Sequence, residues 1–443
     1  MSEDSTSTEP ERTAIAPRRS VAAPERIVDA LTVLTAGPTP YGRERPTAER
    51  VAAWAADRWP GSTWRVDPLP ATAEAPNAAN LLATAHLGDA PELLIYSHLD
   101  TSLTGDPDAD EPVTGSRAEL AGLRQATAPD DAALVTGFGL GVARAAAASA
   151  LVGFTLAADR LRATGRPHRL TLLLAAAGTH RHHPSGLTPS GVTHHLDRHP
   201  PPAAAVVAKT GPAGVLTAEP GAMFLRVRLT SSFHPALARE SAVPPGGLIA
   251  HLGTVIAALE EFRRRHLADR RTDPAAPVGA EVGIGAVAAG SPGKPDLLPG
   301  RLELHLYLVT VPGDDPGEIR ARLRAVLDET LAGTPLRDCP VTVDGRLVHP
   351  AAATAADAPI ARHAYAAWTA AHGEPPRPVT GWTGSTDGVV LRGRGVPTVR
   401  LGPPSRGPDP DDPRLDRYAV ADLVRFADLY ADVAVRHSGS STT

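Results

Sequence analysis

What most restricts the fold of this chain is a set of short apolar runs with little polar interruption: Asn80 to Ala85, Leu93 to Tyr96, Leu170 to Ala177 and Ala203 to Ala208. A strand with one wet face alternates apolar and polar residues, so such runs require a sheet covered on both faces. Helical stretches surround them: Pro24 to Thr35, Thr47 to Trp59, Gly141 to Thr164, and a late stripe of Leu423, Phe426, Ala427, Tyr430 and Val433. Buried strands interleaved with helices predict an α/β layer on a mostly parallel sheet, to which Val396 to Leu401 adds a late strand. A polar Gly/Asp/Pro segment ending near Asp131 reads as an excursion over the surface.

From Ala222 the period changes. Met223, Leu225, Val227 and Leu229 alternate with Phe224, Arg226, Arg228 and Thr230, and Leu302, Leu304, Leu306 and Leu308 alternate with Glu303, His305 and Tyr307. These are half-exposed strands. Helical stripes follow each: Leu252, Val255, Ile256, Leu259 and Phe262, then Ile319, Leu323, Val326, Leu327 and Leu331. The pattern predicts a small sheet with two helices on one face, an α+β domain over 222–340 inserted into an α/β domain made of 24–221 and 341–436. Residues 1–23, polar and rich in Pro, Ser and Thr, and residues 437–443 read as flexible tails.

Composition narrows the function classes. The formal charge of -5 argues against a nucleic-acid partner, and no Lys/Arg cluster stands out to reverse that. The only lysines are Lys209 and Lys294, and the single cysteine, Cys339, rules out an internal disulfide or a thiolate metal cluster. No signal-peptide core is present at the N-terminus, and the Ala-rich stretch Ala145 to Ala158 is short for a bilayer span and bracketed by Arg144 and Asp159. A cytoplasmic protein without a membrane partner is the expectation.

Ser97-His98-Leu99-Asp100, at the end of an apolar strand, invites a metal reading. Yet from Ala132 to Ala218 only Asp159 and Asp197 are acidic. A hydrolase with two zinc ions needs several carboxylate ligands and a carboxylate base.

Four motifs in order carry a resemblance. They are Leu94-Ile-Tyr-Ser-His98-Leu-Asp100-Thr, Leu134-Val-Thr-Gly-Phe-Gly-Leu-Gly141, Pro312-Gly-Asp-Asp315, and Gly384-Ser-Thr-Asp-Gly388 followed by Gly395-Val-Pro-Thr-Val-Arg-Leu-Gly402. Over Pro24 to Val435 the chain resembles the zinc aminoacylase and carboxypeptidase family, which includes succinyl-diaminopimelate desuccinylase and acetylornithine deacetylase. The resemblance implies an α/β peptidase domain with an inserted α+β lid through which homodimers form, and zinc as cofactor. It further implies a bridging Asp, a Glu-Glu pair that includes the base, one more acidic ligand and a late His.

Carried over residue by residue, His98 takes the first metal-ligand position and Asp100 that of the acid which orients it. The other positions lack their acids. Val142-Ala143-Arg144 stands where the bridging Asp should follow the Gly-x-Gly turn, Gly178-Thr179-His180-Arg181 replaces the Glu-Glu pair, Lys209 replaces the next acidic ligand, and Asp412 falls near the late His. An ammonium supplies positive charge without a metal, so Lys209 is expected to stand in electrostatically for lost zinc. His180, His182, His183, His194 and His195 are the candidates for displaced ligands. By resemblance His234 is the lid histidine that reaches across a dimer to polarise the scissile carbonyl, and Ser385, Thr386 and Asp387 line the pocket. No Arg stands near Val309, where the family often carries one for the substrate carboxylate, and no Gly-x-Ser-x-Gly elbow supports a serine hydrolase.

Three functions compete. The first is a metal-poor homologue whose usual hydrolysis is lost, retained either for binding a small acylated amino acid or peptide or for a repurposed amide chemistry. The second is an active metal-dependent peptidase or N-acyl-amino-acid amidohydrolase with displaced ligands, and the third is a structural partner of another enzyme.

Overall fold

A computed structural model describes residues 21–439 apart from 74, 102, 104–107, 109, 111–121, 128–132, 180–189, 271–272 and 274. The apolar runs become a six-stranded sheet. Its order along the sheet is Thr63–Pro68, Ala79–Leu87, His168–Ala175, Glu92–His98, Ala204–Ala208 and Thr398–Leu401. The last four strands are mutually parallel and the first two pair antiparallel at one edge. Glu92–His98 therefore lies between two parallel neighbours, and the ends of all three strands open on one side. In such sheets that side, past the carboxyl ends of the strands, is where ligands bind.

Helix Ala145–Ala163 runs through the core against helix Val420–His437. Small side chains permit the close approach: a Cβ at Gly153 would lie 2.7 Å from the carbonyl oxygen of Ala427. The span Leu140–Ala163 is long and apolar enough to cross a membrane by length and composition, but 89% of its apolar window is buried inside the fold. It is a core helix. The expected helix Gly141 to Thr164 starts later than predicted, because Val142 and Ala143 have non-helical backbone angles. A small sheet of Arg124–Thr127, Ala133–Gly137 and Asp416–Ala419 holds the turn before it, with Gly141 N donating to Asp416 at 2.9 Å.

The inserted domain is a four-stranded sheet ordered Glu281–Ala289, Arg301–Thr310, Gly221–Thr230 and Val341–His349. Leu225 faces Leu306 and Val227 faces Leu304 across the central pair, and this face packs with Leu259 and Phe262 of one helix and Leu323 and Leu327 of another. Asp315 of the Pro-Gly turn caps the second helix by accepting from Glu318 N at 2.9 Å. One boundary moves. Val341–His349 pairs with Gly221–Thr230, so the α/β layer resumes after His349 and not at Val341. At the far end the last helix includes His437, which was expected in the tail. The expected N-terminal tail as far as residue 20 lies outside the described residues, as does most of the excursion before Asp131.

Buried histidines give the fold a pH dependence. Burial pulls His195, His266 and His437 down to about 4. Between about pH 4 and 6.5 the unfolded chain binds protons there that the folded chain does not, so stability falls as the pH drops through this window. Each residue withdraws up to about 3 kcal/mol at acid pH. Glu44, pushed up to about 8 by burial and then by Asp100, acts in the opposite direction but as one group against three. Urea midpoints are therefore expected to fall from pH 7 to pH 5, and a flat profile would contradict this accounting.

Candidate functional site

The parallel strands deliver their last residues to one place. His98 ends Glu92–His98, Gly178 and Thr179 follow His168–Ala175, and Lys209 follows Ala204–Ala208. His98 is 1% exposed and Asp100 is fully buried. Asp100 accepts from His98 Nδ1 at 3.0 Å, Gly178 N at 2.8 Å, Thr179 N at 2.9 Å and the Thr179 hydroxyl. Burial opposes its charged form, but His98 and the Thr179 donors outweigh burial and hold the carboxyl well below its usual range. Gly178 leaves no room for an acid: a Cβ there would lie 2.5 Å from the Cβ of His98.

Lys209 Nζ lies 2.5 Å from His98 Nε2. An ammonium only donates and a carboxylate only accepts, so the imidazole is neutral, with its proton on Nδ1 toward Asp100 and its Nε2 lone pair toward Lys209. The nitrogen expected to face a metal is thus taken by the ammonium. Burial, with Arg400 nearby, pulls Lys209 down to about 8 against the pull of Asp100, Asp387 and Glu219, which leaves it mostly charged at neutral pH.

Further charges surround this relay, and their side chains are buried. Tyr96 donates its hydroxyl to Asp387 at 2.5 Å, and burial beside that carboxylate pushes the phenol well above its usual range. Glu219 is fully buried between Arg392 Nη1 at 2.6 Å and Arg400 Nη1 at 3.3 Å, and accepts the Thr386 hydroxyl at 2.5 Å. Arg400 also donates to Thr210 O at 2.8 Å and lies over the Trp382 ring at 4.9 Å. Asp100, Asp387 and Glu219 against Lys209, Arg392 and Arg400 make three negative and three positive charges. Glu44 holds the loop after His168–Ala175 by accepting from Ala177 N at 3.0 Å, and its raised pKa keeps it mostly neutral at pH 7.

The structure brings His98, Asp100, Lys209, Thr386 and Asp387 into one network. Ser385 borders it, donating to Pro220 O at 2.9 Å with His349 at 3.4 Å. Asp412 is chelated by Arg414, with both bonds at 2.7 Å. His234 sits on the inserted domain beside Ser232 at 2.8 Å. His194 faces Asp67 at 3.5 Å and Arg198 at 2.9 Å, and His195 stacks on His199. His180, His182 and His183 lie outside the described residues. Val142 fills its position with an apolar side chain, while Arg144 is buried and bonded to Phe138 O at 3.1 Å, Gly37 O at 2.6 Å and Thr39 Oγ1 at 3.0 Å. Among the described residues no group of three or more His, Cys, Asp or Glu is arranged to hold a metal.

Sequence reasoning missed Glu44, Tyr96, Glu219, Arg392 and Arg400. One signal was present: Arg400 interrupts the apolar strand Val396 to Leu401, and a buried cation there demands an acid.

No family model matches the sequence, and neither does any curated protein. Solved structures match over nearly the whole chain. Aminopeptidase PepT from Bacillus cereus is similar with a TM-score of 0.63 at 16% identity, covering 95% of this chain and 100% of that one. The M20 family metallo-carboxypeptidase Sso-CP2 from Sulfolobus solfataricus has a TM-score of 0.64 at 11% identity, covering 94% and 99%. Human carnosine dipeptidase 1 has a TM-score of 0.59 at 12% identity, covering 94% and 95%. The fold is the one these M20 peptidases share, in line with the resemblance read from the motifs.

Proposed function

We propose that this chain is an amide-hydrolase scaffold in which a charge-balanced side-chain network replaces the dinuclear metal site, and that it binds a small acylated amino acid or peptide. The observation that supports this reading is the 2.5 Å contact between Lys209 Nζ and His98 Nε2. A divalent ion about 4 Å from that ammonium would meet a repulsion of roughly 8 kcal/mol at an effective dielectric of about 20. The three buried carboxylates already have their counter-charges or donors, so little remains to offset it. The donor set does not fit a pair of zinc ions.

If the protein turns substrate over, the bond class its scaffold supports is the amide. The expected result is no hydrolysis of N-acetyl amino acids or dipeptides above background with added zinc, cobalt or manganese. Turnover abolished by a chelator would favour displaced ligands and overturn the proposal.

A homodimer through the inserted domain belongs to the same reading. Its support is apolar exposure on that domain, where Phe233 is 73% and Leu237 102% exposed, with Val243 and Ile249 also exposed. Light scattering is expected to give twice the 46.0 kDa chain mass. A mass of one chain would sink the dimer. The single cysteine, buried and free, supports a cytoplasmic location.

A further inference from the structure

Among the described residues, Lys209 is the one cation of the network that touches no anion. Arg392 and Arg400 both reach Glu219. The Lys209 ammonium, by contrast, has the neutral His98 imidazole as its hydrogen-bond partner among the described residues. An ammonium has three N–H donors, so two remain unspent. Lys209 is only partly covered, as are Thr179, Thr210 and Ser385 around the strand ends, so the site is reachable from solvent. The neighbouring Arg400 guanidinium also keeps a buried Nε–H with no acceptor among the described residues.

Buried charges are found paired, and a half-buried ammonium without a contacting anion is a site with its counter-charge still to come. Asp100 and Glu219 are held by their own donors, Asp387 accepts from Tyr96 through one oxygen, and among the described residues none of the three forms an ion pair with Lys209.

We propose that the two unspent donors of Lys209 receive a carboxylate of the bound ligand, which makes the former metal position a recognition point for a singly charged organic acid. This deepens the function proposed above and rests on it, because a metal at His98 would displace the ammonium. A carboxylate matches the missing charge. A neutral amide offers the same oxygen but leaves the ammonium uncompensated, and a doubly charged phosphate would meet the fields of Asp100, Asp387 and Glu219.

The sequence makes the test direct, since Lys209 and Lys294 are the only lysines. Full-length protein carrying ¹⁵N-lysine gives two side-chain signals, and Lys209→Met identifies them. Sodium acetate is expected to shift the Lys209 signal saturably while Lys294 stays still, with acetamide at the same concentration doing neither. No shift with acetate, an equal shift with acetamide, or a shift shared by Lys294 each overturns the proposal. Should solvent exchange erase the Lys209 signal, the thermal midpoint carries the same arms: acetate but not acetamide raises it in the natural chain and not in Lys209→Met. Zinc is titrated separately. If one equivalent moves the Lys209 signal or raises the midpoint, the metal-poor reading itself fails, whatever acetate does.

Discussion

Replacing Lys209 with glutamate is expected to cost about 3–5 kcal/mol of stability in metal-free buffer and to make the remaining stability respond to zinc. The network has three negative and three positive charges, and this change makes it four against two. The new carboxylate would sit where the ammonium now meets His98 Nε2, close to Asp100 and Asp387. Protonation of His98 offsets part of that charge, but a divalent cation offsets more and gains imidazole and carboxylate ligands together. Urea unfolding with zinc and with chelator reads both effects. An unchanged midpoint with no response to zinc would mean that Lys209 does not occupy a metal's electrostatic role.

Glu219→Gln is expected to be comparably severe, at about 3–5 kcal/mol, although it removes one charge and almost no volume. It leaves Arg392 and Arg400, each about as buried as the residue they pair with, without their anion. Glu219 lies immediately before the inserted domain and Arg400 in the parallel sheet, so the triad also anchors to that sheet the segment that leads into the inserted domain. The double variant Glu219→Gln with Arg392→Gln is expected to cost less than the two single changes added, because neighbours sharing one charge network are not additive. Strict additivity in denaturant midpoints would count against the triad.

The fold was legible where local pattern decides it. Leu93 to Tyr96 and Ala203 to Ala208 have no wet face, so they had to be covered strands, and the structure sets them side by side. Helix Pro24–Thr35 lies where its periodicity and leading proline put it. Val341–His349 was misplaced because its partner, Gly221–Thr230, is distant in sequence and pairing at that range leaves no local mark. The site divides in the same way. His98, Asp100 and Asp387 sit in short motifs, and Lys209 announced itself as an ammonium at the end of an apolar strand. Glu44, Glu219 and Arg392 are single charges in unremarkable surroundings, and gain meaning only once the sheet brings them together. Asp412 has the expected position along the chain, but Arg414 two residues on claims its carboxylate.

The central claim is that an ammonium and a balanced set of charges have taken the place of two metal ions. It is tested most directly by elemental analysis of the full-length chain, purified without chelator and without a histidine tag. The account predicts no stoichiometric zinc, cobalt or manganese. Two tightly held ions per chain would contradict it.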